Sequence, residues 1–420
     1  MEKLLVHGGS RLGGSINVSG SKNSSLPILA ATLLTADKCI IRRVPDVSDT
    51  NYMLQILNQL GADVERASGT VTTAAQDLVS DAPYDIVRKM RASVCVMGPL
   101  VARLGRAKVS LPGGCVIGDR PIDLHLRALK AIGADIDVTG GNVIIQVPTE
   151  LTGTEVNLRG KFGPTVLGTD NLMMAATLAR GKTIIEGAAT EPEVIDLADF
   201  LNKMGAKVEG AGTRRIEIEG VKELHGVEHT VIPDRIEAGT FMAAGAMASD
   251  CLKLCRVRPD HLQAVTNTLR ACGHEVSANG DSLTVSGASN PKGTRVSTGP
   301  YPEFPTDMQA QMTALFAISA GISTVVDNIF PERFMHLPEL QRMGAQVERQ
   351  GNTAIIEGPA KLSGAPVMAS DLRASAALVL AGLCADATTE VNRLYHIDRG
   401  YEHIDEKLIA AGASIERVRV

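Results

Sequence analysis

Residues 111–125 read LPGGCVIGDRPIDLH and hold the least ordinary chemistry in the chain. Cys115 follows a Pro-Gly-Gly turn and precedes Gly118, Asp119, Arg120 and Pro121. A thiol in a Gly-rich loop near a guanidinium can have a lowered pKa and act as acid or nucleophile. A lone loop cysteine is more often structural, so the thiol by itself leaves both readings open. A second set of candidates lies at six segments that read as helix starts: SGSKNSSLP, RKMRASV, PTVLGTDN, PDRIEAGT, FPTDMQAQ and ASDLRASA. Four of them carry a cation, Lys22, Arg91, Arg235 or Arg373. A helix N-terminus is already partly positive, so a cation there is locally unfavourable unless an anion is also bound. Any one of these cations reads equally well as a solvated surface charge; their recurrence at one place favours the anion. Asp307 is the acidic exception. A carboxylate among cations suits a general base for a hydroxyl, and a first-turn capping acid is the ordinary alternative.

These positions are set by a repeat. The phrases LQILNQLGADVE, LRALKAIGADID, ADFLNKMGAKVE, TNTLRACGHEVS, PELQRMGAQVE and EKLIAAGASIE each run from an amphipathic helix through a glycine into an alternating strand. Their glycines, Gly61, Gly133, Gly205, Gly273, Gly344 and Gly412, are 72, 72, 68, 71 and 68 residues apart. Glycine is what a helix end in the left-handed conformation prefers. An Ala-rich helix and a β-rich strand precede each amphipathic helix, as in FMAAGAMASDCLKLCRV. The spacing predicts six βαβαββ-type repeats in an α/β fold, with parallel pairs made by right-handed crossovers. The last repeat starts near Ser370 and is short of its closing pair, whereas residues 1–20 match the closing phrase. The N-terminal segment is therefore expected to form a hairpin that completes the sixth repeat. Two domains of three repeats follow, 21–232 and 233–420 plus 1–20.

Composition excludes several classes. The chain has 420 residues, a net charge of −5, no Trp, 5 Tyr and 7 Phe. So few aromatics and no basic surplus argue against nucleic-acid binding. No apolar run reaches the length of a membrane span and no signal-peptide core follows Met1. Seven scattered cysteines suit a reducing cytoplasm. No metal-ligand spacing, GxxxxGK[ST] loop or strand-linked GxGxxG is present, so neither a metal nor a cofactor is expected. His125, His396 and His403 lie near the candidate loops, but each reads more readily as a surface or capping residue. A monomer is expected, because both sheet edges and both chain ends can be used within the repeat.

The motifs SGSKNSSLPILAATLL, MRASVCVMGPLVAR, LPGGCVIGDRPIDLH, PDRIEAGTF, FPTDMQAQ, RFMHLPELQRMGA, DLRASAALVLAG and YHIDRGYEHIDEKL resemble those of the UDP-N-acetylglucosamine enolpyruvyl transferases, along essentially the whole chain. The resemblance implies a two-domain inside-out α/β barrel that closes over its substrates. It also implies transfer of the enolpyruvyl group of phosphoenolpyruvate to the 3-hydroxyl of UDP-N-acetylglucosamine, with release of phosphate, at the start of peptidoglycan synthesis. Cys115 is then similar to the acid that protonates the methylene carbon, which is also the thiol alkylated by fosfomycin. Asp307 resembles the base. Lys22, Arg120 and Arg399 resemble the phosphate and carboxylate clamp. Asn23, Arg91, Arg120, Pro121, Ile122, Asp123, Leu124, Thr165, Val166, Leu167 and Ile329 resemble the sugar-nucleotide contacts, and Arg333 and Arg373 resemble active-site residues of the second domain. Ser21 stands where the family more often has Ala, and VLGT, with Leu167, stands where it usually reads near VGAT. Two alternatives remain: an enolpyruvyl transferase acting on shikimate 3-phosphate, and an inactive homologue that binds sugar nucleotides.

Overall fold

A computed structural model describes residues 2–82, 84–111 and 122–419. They divide into two compact units, a first built from residues 20–232 and a second from residues 2–19 and 233–419. Each unit holds three four-stranded sheets, and each has its own apolar core. A short pair, Arg159–Gly160 with Gly163–Pro164, stands apart from these.

The second repeat shows the plan. Asp81–Ala82 runs parallel to Arg106–Ser110, which is antiparallel to Asn142–Gln146, which is antiparallel to Asp135–Thr139. The last strand in sequence thus lies inside the sheet and the third lies at its edge. The parallel pair needs a crossover, and a helix supplies it. In the second unit these crossover helices are Arg235–Ala248, Gln309–Ala317 and Leu372–Leu383. They are buried on nearly every face and pack against one another, and small residues such as Ala243, Ala244 and Ala376 allow that approach. The other helix of each repeat is amphipathic. Ser48–Gln59 buries Met53, Ile56 and Leu57 and turns Gln55, Asn58 and Gln59 outward. Each such fully buried side chain contributes roughly 1.5–3 kcal/mol, and Leu57→Ala would cost about 2–5 kcal/mol. The amphipathic helices end as the spacing predicts: all six repeat glycines have positive φ, between 93° and 105°. A β-carbon is strained in that conformation.

The N-terminal segment corrects the expected hairpin. Glu2–His7 does finish the sixth repeat, antiparallel to both Thr388–Asn392 and Ser414–Arg419. Leu12–Asn17 does not join it; it lies parallel to Ser249–Cys255 and begins the fourth repeat. Likewise Arg215–Glu219 closes the third sheet, while Glu228–Thr230 lies parallel to Cys39–Arg42 in the first. The two strands that precede the helices at 22 and 235 have therefore exchanged places. Alternation marks a strand but not its partner, and a match to the closing phrase could not separate the end of one repeat from the start of the next. Each exchange is fixed by a main-chain bond, Ser21 N to Ile232 O at 2.8 Å and Asp234 N to Ser19 O at 2.9 Å. Every four-stranded sheet also keeps two edge strands, Asp63–Ala67 and Glu228–Thr230 among them. The argument for a monomer from fully used edges therefore does not hold.

Candidate active site

The second unit places its charged residues at the starts of its central helices. Asp371 caps Leu372–Leu383, accepting from Arg373 N at 2.8 Å and Ala374 N at 3.2 Å. That cap fixes Arg373 in the first helical turn. Asp307 lies in the short 3-10 turn Thr306–Met308 ahead of Gln309–Ala317. Its carboxylate takes Arg333 Nη1 at 2.7 Å on one oxygen and Arg373 Nη2 at 3.1 Å on the other. The Arg333 and Arg373 side chains are 7% and 3% exposed, and that of Asp307 is 27%. Burial alone would push both guanidinium pKa values down, but the Asp307 charge holds each above the ordinary arginine value. Arg373 Nη1 is buried with no hydrogen-bond partner among the described residues. An orphaned charged donor is costly, so the arrangement favours an incoming anion. Asp307 thus faces two guanidinium groups, with the Asp371 and Asp234 charges also acting on them, and its side chain stays 27% exposed.

Neighbouring turns are held just as firmly. Asp327 is fully buried. It accepts from the hydroxyls of Thr298 and Thr306 at 2.8 and 2.7 Å and from Ile329 N and Phe330 N at 3.0 and 2.9 Å. This ties Ile329 to the turn that carries Asp307. Gln309 Nε2 donates to Arg333 O at 3.2 Å. Arg399 ends the 3-10 segment Leu394–Arg399 and is half-buried. Burial, and then the Arg399 charge, lower the pKa of His396.

The first unit uses the same helix starts. Ser21 caps Lys22–Ala31, so Lys22 is its first residue and Asn23, half-buried, its second. Lys22 Nζ stands 3.2 Å from Asp49 Oδ2 on Ser48–Gln59, and both side chains are largely buried. Arg91 starts the turn Arg91–Val96. Ile122 precedes Asp123–Ala131, which begins with Asp123 and Leu124. Thr165 caps Val166–Ala176, its hydroxyl accepting from Gly168 N at 3.2 Å, and Val166 and Leu167 follow half-buried. His125 is not the surface or capping residue expected. It is 2% exposed, and Asn171 Nδ2 donates to its Nδ1 at 2.9 Å. Burial, and then the Arg91 charge, push its pKa down to about 3. Cys115, Arg120 and Pro121 lie outside the described residues.

The structure thus brings Asp307, Arg333 and Arg373 into direct contact, and Lys22 onto Asp49. Sequence reasoning singled out neither Asp49 nor Asp327, nor the glutamines Gln309 and Gln311. For the two glutamines the available signal was a polar residue in an otherwise apolar helix, QAQMTALFA, which must find a partner when buried; Asp49, in a polar-rich helix, and Asp327, outside any helix, offered no such signal.

Known proteins agree on one family. Residues 6–408 match the EPSP synthase (3-phosphoshikimate 1-carboxyvinyltransferase) family. A UDP-N-acetylglucosamine 1-carboxyvinyltransferase of Akkermansia muciniphila is 63% identical over 420 residues, covering 100% of this chain and 99% of the relative. One of Methylacidiphilum infernorum is 58% identical over 418 residues, again covering 100% and 99%. Among solved structures, the enolpyruvyl transferase NikO from Streptomyces tendae superposes with a TM-score of 0.90 at 25% identity, covering 100% of this chain and 99% of that one. An EPSP synthase from Acinetobacter baumannii, at 19% identity and a TM-score of 0.78 over the full length of both chains, shares the fold. Matched along its whole length by such relatives, the chain belongs to the EPSP synthase family of enolpyruvyl transferases, in the branch of the UDP-N-acetylglucosamine 1-carboxyvinyltransferases.

Proposed function

We propose that this enzyme transfers the enolpyruvyl group of phosphoenolpyruvate to the 3-hydroxyl of UDP-N-acetylglucosamine. The names of its full-length relatives support the substrates. The observation that carries the chemistry is Asp307, a partly exposed carboxylate gripped by two buried guanidinium groups. Asp307 takes the proton of the sugar hydroxyl, whose oxygen bonds to C2 of the enolpyruvyl group. Cys115 delivers a proton to C3, giving a tetrahedral intermediate that carries carboxylate and phosphate on one carbon. Loss of phosphate and of one C3 proton restores the double bond. Lys22, Arg120 and Arg399 balance the anionic charge, a contribution of about 3–4 kcal/mol for a well-placed group. Asn23, Arg91, Ile122, Asp123, Leu124, Thr165, Val166, Leu167 and Ile329 hold the sugar nucleotide.

A peptidoglycan-precursor role, and alkylation of Cys115 by fosfomycin, follow from the same reading. So does a cytoplasmic location, which suits the free thiols Cys39, Cys95, Cys251, Cys255, Cys272 and Cys384. Among the described residues no helix is long and apolar enough to cross a membrane. The deciding experiment is phosphate release from phosphoenolpyruvate. It is expected with UDP-N-acetylglucosamine and not with shikimate 3-phosphate; release with neither would leave a binding protein. Asp307→Asn is expected to abolish most turnover, and native turnover in that variant would remove Asp307 from the mechanism.

A further inference from the structure

Three buried residues of the second unit, Thr240, Gln311 and Tyr401, have no place in the mechanism so far. Tyr401 is 2% exposed and follows Arg399 by two positions. Its hydroxyl lies 2.8 Å from Thr240 Oγ1 and accepts from Gln311 Nε2 at 3.1 Å. The same Gln311 nitrogen lies 3.0 Å from both the Thr240 hydroxyl and the backbone carbonyl of Asp307, so its two hydrogens are shared among three acceptors. The guanidinium carbon of Arg373 stands 5.2 Å from the centre of the Tyr401 ring, while Arg373 Nη2 holds Asp307. One phenol therefore reaches Asp307 by two routes. Its hydroxyl acts on the Asp307 backbone through Gln311, and its ring supports the guanidinium that orients the Asp307 carboxylate. The three residues come from three different repeats, so the network also sets how those repeats meet around Asp307.

We propose that Tyr401 is a positioning residue for Asp307, acting through Arg373 and Gln311. The inference rests on Asp307 as the base. A base must be held to within roughly 0.5 Å of its working position. A guanidinium held 5.2 Å from the centre of an aromatic ring, with the phenol hydroxyl also in contact, is a firmer support than a lysine there would be.

The test is a double-mutant cycle between Tyr401 and Arg373 in the full-length enzyme, with kcat and both KM values measured. Tyr401→Leu is expected to lower kcat by about 100-fold, with each KM changed by less than about threefold. Tyr401→Phe keeps the ring and is expected to recover most of that loss, retaining only a deficit of about fivefold. In an Arg373→Lys background, Tyr401→Leu should lower kcat by no more than about threefold further, because the support it removes is already gone. Equal losses in both backgrounds, or a folded Tyr401→Leu with native kcat, overturn the proposal. If Tyr401→Leu does not fold, a cycle of Tyr401→Phe with Gln311→Leu decides alone: coupling in kcat supports the proposal and additivity overturns it. Asp307→Asn measured alongside separates the two failures. Native turnover there sinks the base assignment itself, whereas an inactive Asp307→Asn with an uncoupled Tyr401 sinks only the positioning role.

Discussion

At the centre of the first unit a single amide does the joining. Asn171 donates to Val94 O and His125 Nδ1, both at 2.9 Å, and accepts from Gly98 N at 2.8 Å. Groups around it tend to the neutral form. Burial pushes His125 down to about 3 and raises the pKa of Cys95 and of Asp170, helped in the last case by Glu191 and Glu193. At the corresponding centre of the second unit, burial is just as deep, yet Arg333 and Arg373 keep their charge because Asp307 faces them. The same repeat thus supports two electrostatic outcomes. In one, neutral groups finish the core, although a buried Asp170 oxygen has no hydrogen-bond partner among the described residues. In the other, paired charges stay ionised beside a carboxylate whose side chain is 27% exposed, which suits a site that takes a ligand.

Four measurements would break or sharpen that contrast. The largest effect is expected at Asp307: Asp307→Asn should cut kcat by about 10²–10⁴-fold, and a silent variant would mean that the charged centre is only structural. Next, Asn171→Leu should cost about 3 kcal/mol in urea denaturation by stranding buried partners, with kcat per folded molecule unchanged; a kinetic defect would place the neutral centre in the chemistry too. The third concerns acid. An unfolded imidazole titrates near 6.5 and folded His125 near 3, so between those values the unfolded chain binds the extra proton. The contribution of His125 is complete above about pH 6.5 and shrinks as pH falls, by roughly 1.4 kcal/mol per unit. His125→Gln should flatten the loss of stability between pH 6.5 and 4, and an unchanged slope would contradict a buried neutral imidazole. The smallest effect belongs to Arg11→Ala. Arg11 meets Asp250 at 2.8 Å with both side chains mostly exposed, so its loss should cost under about 0.5 kcal/mol. A larger cost would show that charge pairing matters here regardless of burial.

Much of the fold was legible because each repeat spends a glycine where only a left-handed residue fits, and six such glycines at near-equal spacing leave little freedom. Strand partners were not legible. Leu12–Asn17 and Glu228–Thr230 alternate like any half-buried strand, and their exchange is decided by contacts hundreds of residues away. In the site, Asp307 stood out as an acid at a helix start whose segment carries no cation. Arg373 stood out as a helix-start cation, Arg333 came from the family motifs, and the structure adds that both grip Asp307. Gln311 and Thr240 were hidden in apolar helices and Tyr401 in a charged loop, and spacing cannot tell which buried hydroxyl meets which amide across three repeats.

The position of Glu2–His7 bears on how the chain is made. It is an interior strand, with His7 opposite Ser414 and Glu2 opposite Arg419. A strand made about 400 residues before its partner must therefore wait for it. Residues 20–232 can fold during synthesis, while Glu2–His7 and Leu12–Asn17 stay unpaired with hydrogen-bonding edges exposed. That interval is when the protein is most open to mispairing and to chaperones. A circular permutant that connects these two neighbouring strand ends through a short turn and opens the chain in a loop elsewhere would shorten the wait.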